Sequence, residues 1–208
     1  MLLERARQVR GTPFMVLLAS YFALLYRYTE QEDLVIGFPT AGRVRLELEP
    51  LVGAFINSLP VRVTLDKEMS LTDVLQLVRK RTLEAVQHEQ LPFEQIVDNL
   101  KLERDLSRHP LFQAFLNVMN SPPLNEHDKL AVRVSPVYVP RTSSQFDLNL
   151  NVRLTDDQCE VKLIYNTELF AANAMHSLAS RFQTTVQAMC RDPEAAIAEY
   201  SMLGEQDA

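Results

Sequence analysis

The spacing of apolar and polar positions changes period several times along this chain, and each change marks a helix or a strand. Leu2 to Arg10 repeats at helical spacing and stops at Gly11. Thr12 then offers an N-cap hydroxyl and Pro13 a first-turn proline, which together open a helix over 13–28. From Phe14 to Tyr26 that helix is apolar on nearly every side, so it belongs between a sheet and other helices. Leu34, Val35 and Ile36 are consecutive and β-favouring and end at Gly37, where a missing Cβ permits a bend or a close backbone approach. The chain turns through Pro39, Thr40, Ala41 and Gly42 to present Arg43, and Leu51 to Val63 reads as a second strand with Asn57 among Phe55, Ile56 and Leu59.

A polar turn over 64–70 leads to Ser70, the cap of a helix whose apolar residues Leu71, Val74, Leu75, Val78, Ala85 and Val86 share one side. Arg79, Lys80 and Arg81 within it read as a solvated face in preference to a docking site for an acidic partner. Pro92 disfavours helix at Leu91, so that helix ends before it and a second, Phe93 to Leu100, follows. In this corner His88 and Glu89 suggest acid–base chemistry. The plainer account makes Phe93 an anchor into the core and Glu94 a charge favoured at a helix start. Leu111 to Met119 and Leu130 to Val134 read as strands, and Pro136 and Pro140 confine Val137 to Val139 to an edge or a crossing segment. Phe146 to Leu154 and Cys159 to Tyr165 alternate strictly, predicting a hairpin whose wet face carries Asp147, Asn149 and Asn151, towards solvent or a polar channel. An amphipathic helix from about Ala171 to Cys190 turns Met175, Leu178, Phe182 and Val186 inward, and Arg191-Asp192-Pro193 closes it. Helices alternating with strands give an α/β fold with a mixed sheet flanked by helices.

Composition narrows the function. With 208 residues, 47% hydrophobic and 23% charged, the chain fits one domain with one core. A net charge of -6 without a Lys/Arg cluster argues against a nucleic-acid partner. Cys159 and Cys190 stand in no CxxC setting, so they read as reduced, buried thiols of a cytoplasmic protein, and no metal is expected. The apolar run from Phe14 is too short to span a bilayer, and MLLERARQVR is too charged for a secretion signal. The chain opens almost inside an amphipathic pattern, as an excised piece would.

VIGFPTAGR and LVGAFINSLPVRV resemble two consecutive signature motifs of the condensation domains of nonribosomal peptide synthetases, and HEQLPFEQIVDNL resembles a third. RDLSRHPLFQAFLNVMN and SSQFDLNL match the same pattern further on, so five blocks stand in the family's order. The resemblance implies one lobe, the C-terminal one, of a two-lobed chloramphenicol-acetyltransferase-like fold, over 1–198, with an exit linker over 199–208. In that family the lobes form a V with a tunnel between them. Donor and acceptor carrier proteins send phosphopantetheine arms into it, and the acceptor amine attacks the donor thioester to form an amide. No cofactor is expected to bind directly; the phosphopantetheine arm is the substrate's tether. The implied partners are the N-terminal lobe, the acceptor and donor peptidyl carrier proteins, and an adenylation domain beyond the linker.

The family's catalytic block, HHxxxDG, belongs to the other half, and none of His88, His109, His127 or His176 lies in such a motif. The expected contribution is therefore a tunnel wall, a floor loop around 38–52 and a crossing strand from within 121–165. Asn57, Ser144 and Arg43 are the candidate tunnel-facing residues. Asn57 alternatively ties two strands together, and Arg43 alternatively pairs with Glu47 or Glu49. Gly37, Gly42 and Gly53 are expected to permit backbone turns, while Pro92, Phe93, Glu94, Phe146 and Asp147 are structural parts of the motifs. Two other readings are an acyltransferase assembling its site between protomers and a carrier-binding module without catalysis. A separated lobe would also expose an apolar face and self-associate through it.

Overall fold

The computed structural model describes residues 1–101, 105, 107–119, 137, 143–155 and 159–202. Its elements are α1 (Leu2–Gln8), α2 (Pro13–Thr29), β1 (Asp33–Thr40), β2 (Asn57–Thr64), α3 (Leu71–Gln87), α4 (Phe93–Leu100), β3 (Ala114–Met119), β4 (Leu148–Leu154), β5 (Cys159–Tyr165) and α5 (Ala172–Arg191). The five described strands form one mixed sheet in the order β2-β1-β3-β4-β5. β1, β3 and β4 run parallel at its centre, and β2 and β5 pair antiparallel outside them.

The predicted caps are present. Thr12 accepts a hydrogen bond from the Met15 amide at the start of α2, and Ser70 and Asp73 form a reciprocal capping box at the start of α3. Every residue of α2 from Met15 to Tyr26 is buried. Ser20, in the middle of that run, donates its hydroxyl to the Val16 carbonyl at 2.9 Å, so its polarity is satisfied within the helix. Around α2 lie Leu34, Ile36 and Phe38 of β1, Leu59, Val61 and Val63 of β2, and Leu116, Leu150 and Val152 further along the sheet. Val74 and Val78 of α3 and Leu178 and Phe182 of α5 join the same core. One face of the sheet is therefore covered by helices, because the alternation of each strand sends its aliphatic residues to that side.

The end of the chain is stitched to this layer. Ala196 bridges Ser70, the Leu71 amide donates to the Ala195 carbonyl, and Arg27 donates to the carbonyls of Ile197 and Tyr200. Tyr200 is buried beneath Arg27, whose guanidinium carbon lies 5.1 Å from the ring centre, and its hydroxyl meets that of Thr185 at 3.2 Å. Met202, half-buried, packs against the same core.

Several expectations are corrected. The second strand begins at Asn57, not Leu51, and residues 51–56 form an exposed loop. The strand expected from Leu111 begins at Ala114, after a bend in which Phe112 leaves the strand direction to fill the space over Gly37. Cys159 is exposed at the hairpin edge and Cys190 half-buried, both free; partial burial pushes both thiols up. Arg79 is not merely solvated, for its Nε donates to the Arg10 carbonyl at 3.0 Å. The strand at 130–134, most of the segment 137–139 and the tail beyond Met202 lie outside the described residues.

Tyr21 is fully buried and packs edge-on against Phe182 with ring centres 6.1 Å apart, yet among the described residues its hydroxyl has no hydrogen-bond partner. Tyr21→Phe keeps the ring and removes the orphan hydroxyl. It is expected to raise stability by about 1 kcal/mol, read as an increase of roughly 2–4 °C in thermal midpoint.

Candidate functional site

The opposite face of the sheet carries different chemistry. Gly37 of β1 pairs in register with Phe115 of β3, Phe115 with Asn149 of β4, and Asn117 with Asn151. Phe112, Phe115 and Phe146 form a separate buried cluster there, with Val35, Leu111 and Phe93 packed against it. Phe115 and Phe146 stack nearly parallel, with centres 4.2 Å apart and planes 6° apart, and Phe93 meets Phe112 edge-on at 5.5 Å. Gly37 lets this happen, since a Cβ there would come within 2.2 Å of the Phe112 ring. The glycine serves a close approach inside a strand, and not a turn.

His109 sits among these rings, 4.2 Å from Phe112 and 5.0 Å from both Phe93 and Phe146. Among the described residues its Nδ1 has no hydrogen-bond partner, and burial pushes the imidazole pKa down, offset in part by the Phe112 backbone. The turn before it is set by Asp105. Hydrogen bonds from the Ser107 hydroxyl and amide, then from Arg108, hold that carboxyl down at about 2.

Beside the rings runs an amide ladder. Asn117 Nδ2 donates to Asn151 Oδ1 at 3.1 Å, and Asn151 Nδ2 donates to Asn149 Oδ1 at 3.1 Å. These side chains are half-buried, so solvent is not the full account of the hairpin's wet face.

Asn57 opens β2 and ties it to the α3–α4 corner. Its Nδ2 donates to the carbonyls of Glu89 and Leu91 at 2.9 and 2.8 Å, and its Oδ1 accepts from the amides of Ser58 and Phe93. The tie joins a strand to a helical corner and not two strands to each other. Pro92 is the N-cap residue of α4, Phe93 is half-buried against the ring cluster, and Glu94 is exposed in the first turn.

Arg43 corrects the expected ion pair. Its guanidinium donates to the backbone carbonyls of Leu48, Glu49 and Leu51, and lies 4.4 Å from the centre of the Phe55 ring. No carboxylate of Glu47 or Glu49 pairs with it, because the loop's own carbonyls converge on it first. Gly42 has φ +63°, and a Cβ there would lie 1.8 Å from the Phe55 carbonyl oxygen; at Gly53 it would meet the Phe55 ring at 3.0 Å. Ser144 donates its hydroxyl to the Phe146 carbonyl, and the Asp147 carbonyl accepts from the Asn166 amide.

The structure therefore gathers Gly37, Phe93 and Phe146 around Phe112, and Gly42, Arg43 and Gly53 around Phe55. Asn57 and Ser144 belong to different hydrogen-bond groups. Sequence reasoning overlooked Asn117 and the central place of Phe112. The alternation Phe115, Asn117, Met119 was a signal for the first; nothing local marks the second. Among the described residues no group of three or more His, Cys, Asp or Glu could hold a metal. No single described helix is long and apolar enough to cross a membrane.

The mixed five-stranded sheet flanked by helices is a fold shared with solved condensation-domain structures. The chain belongs to the condensation-domain family, whose model matches residues 2–208. It is 34% identical over 206 residues to surfactin synthase subunit 1 of Bacillus subtilis, covering 98% of this chain and 6% of that protein. With tyrocidine synthase 3 of Brevibacillus parabrevis the identity is 35% over 210 residues, covering 99% and 3%. Among solved structures, the X-domain from teicoplanin biosynthesis superposes with a TM-score of 0.84 at 29% identity, covering 97% of this chain and 46% of that one. The condensation domain of the Monacolin K polyketide synthase shares the fold with a TM-score of 0.83 at 20% identity, covering 95% and 45%. This chain thus spans a small fraction of its curated relatives and just under half of these two solved chains.

Two substitutions test the site's framework. Gly37→Ala is expected to cost about 2 kcal/mol by driving Phe112 off its seat, measured as a lower urea midpoint. Asn57→Ala, which leaves the Phe93 amide and two carbonyls without their partner, is expected to cost about 2 kcal/mol and to loosen amide exchange first at the α3–α4 corner.

Proposed function

We propose that this chain is the C-terminal half of a condensation domain, which forms the amide bond between carrier-bound aminoacyl or peptidyl thioesters in nonribosomal peptide synthesis. The observation that carries this reading is the superposition on nearly the whole of this chain and just under half of the related solved chains. The absence of HHxxxDG from the sequence fits it, for the working imidazole then comes from the other half. The ring-and-amide face supplies the tunnel wall, and the loop between β1 and β2 supplies the floor. Ser144 lies at the rim of that face beside Phe146, Asn57 fixes the corner next to it, and Arg43 belongs to the floor. The phosphopantetheine arms of donor and acceptor carrier proteins enter along this wall, and an adenylation domain follows the C-terminal linker.

Support for an interface at the floor comes from its surface. Leu46 and Ile56 are 79% and 77% exposed, Val52 is fully exposed, and Val44 and Leu51 are exposed beside them. Apolar side chains so grouped belong against another surface.

Mixing this chain with a separately produced N-terminal half carrying HHxxxDG, together with loaded donor and acceptor carrier proteins, is expected to yield dipeptidyl-carrier product. Neither half alone is expected to do so, and this chain alone is expected to self-associate with rising concentration in light scattering. A mixture giving neither complex nor product would overturn the reading.

A further inference from the structure

We infer that Arg43 is the positioning residue of the loop over 44–56, holding it in the one shape that turns its apolar side chains outward. This deepens the reading of the loop as a floor and rests on it for the identity of the partner surface.

The loop leaves and re-enters the sheet at the paired residues Thr40 and Asn57, so its ends are fixed while its middle is not. A segment bearing Leu46, Val52 and Ile56 would by default fold those side chains out of water and lose its outward surface. Arg43 opposes this in two ways, and Gly42 assists. After the single 3-10 turn at Leu46–Leu48 three carbonyls converge on the guanidinium, which donates to Leu48, Glu49 and Leu51, the Leu48 carbonyl also accepting from the Leu51 amide. A cation at the carbonyl end of a helical turn is also favoured by the local dipole. The same planar group then covers the Phe55 ring, which draws the returning limb of the loop towards the outgoing one. Gly42, with its positive φ, gives the Phe55 carbonyl room to come close. The charge of Arg43 is thus directed into the loop and away from any ligand.

The chemistry requires a guanidinium. Several donors in one plane reach carbonyls from successive residues while the plane's face stays free to stack, and a lysine ammonium offers no such face. The loop itself supplies the reporters: the amides of Leu48, Glu49 and Leu51 donate to the carbonyls of Arg45, Leu46 and Leu48.

The test is hydrogen exchange by mass spectrometry on the purified chain and its Arg43→Ala, Arg43→Lys and Phe55→Leu variants, with thermal unfolding and titration against the N-terminal half. In Arg43→Ala and Arg43→Lys, exchange over 44–56 is expected to quicken by about tenfold or more, with β1, β2 and the thermal midpoint unmoved. Affinity for the N-terminal half is expected to fall about tenfold if the competent loop shape drops to roughly a tenth of the population. Phe55→Leu keeps the carbonyl contacts and is expected to fall between wild type and Arg43→Ala. Unchanged loop exchange in Arg43→Ala, wild-type protection in Arg43→Lys, or a loss of protection spread over the whole sheet would each overturn the inference. Should Arg43→Ala fail to fold, Arg43→Lys decides between these outcomes. A wild-type chain that fails to bind the N-terminal half while the variants still loosen the loop would uphold the role of Arg43 and overturn the reading of the chain as half a domain.

Discussion

The enclosure of α2 governs this structure. A helix buried over twelve consecutive residues, Met15 to Tyr26, has no side to give to water, and one sheet face covers only one of its sides. The remaining sides must be closed by other helices, and α1, α3 and α5 close them. Because those helices are needed around α2, they gather on one face of the sheet. Among the described residues, the other face meets a short helix, α4, through Phe93. The two faces thus differ because of where the core had to be built.

Each central strand then serves both faces. In β1 Ile36 enters the main core, and its neighbour Gly37 admits the Phe112 ring on the opposite side. In β3 Leu116 joins the core while Phe115 and Asn117 join the ring cluster and the amide ladder. Since the side-chain period of a strand is two, a slip of one residue in any of these pairings would exchange the two environments entirely. The aliphatic side fixes the register, and the register in turn places Asn117 opposite Asn151 and Phe115 opposite Asn149.

What could be read from the sequence was what is local. The caps at Thr12 and Ser70, the break at Pro92 and the alternation over 148–165 each depend on neighbours within a few residues, and each has its counterpart in the fold. The strand start at Asn57 was misplaced because 51–56 is apolar enough to pass for strand, although nothing in the sheet pairs with it. The fates of Asn57 and Arg43 depended on carbonyls whose direction is set by the fold. Glu89 and Leu91 are more than thirty residues from Asn57, and the carbonyls that meet Arg43 converge only after the 3-10 turn forms. Phe112 was equally hidden, for its seat is an empty position on a strand far back in the chain.

These long-range contacts share a property that bears on function. Arg43, Asn57 and Ser144, the polar side chains singled out from the motifs, all end on backbone groups, respectively three carbonyls, two carbonyls with two amides, and one carbonyl. A side chain anchored to the main chain in this way fixes the path of the chain. The motif residues therefore shape a surface. Two groups result: stacked rings buried beside half-buried amides, and an apolar loop held open from within. The first stiffens the sheet face from beneath, and the second leaves Leu46, Val52 and Ile56 exposed as a group, the arrangement of apolar side chains that meet another surface.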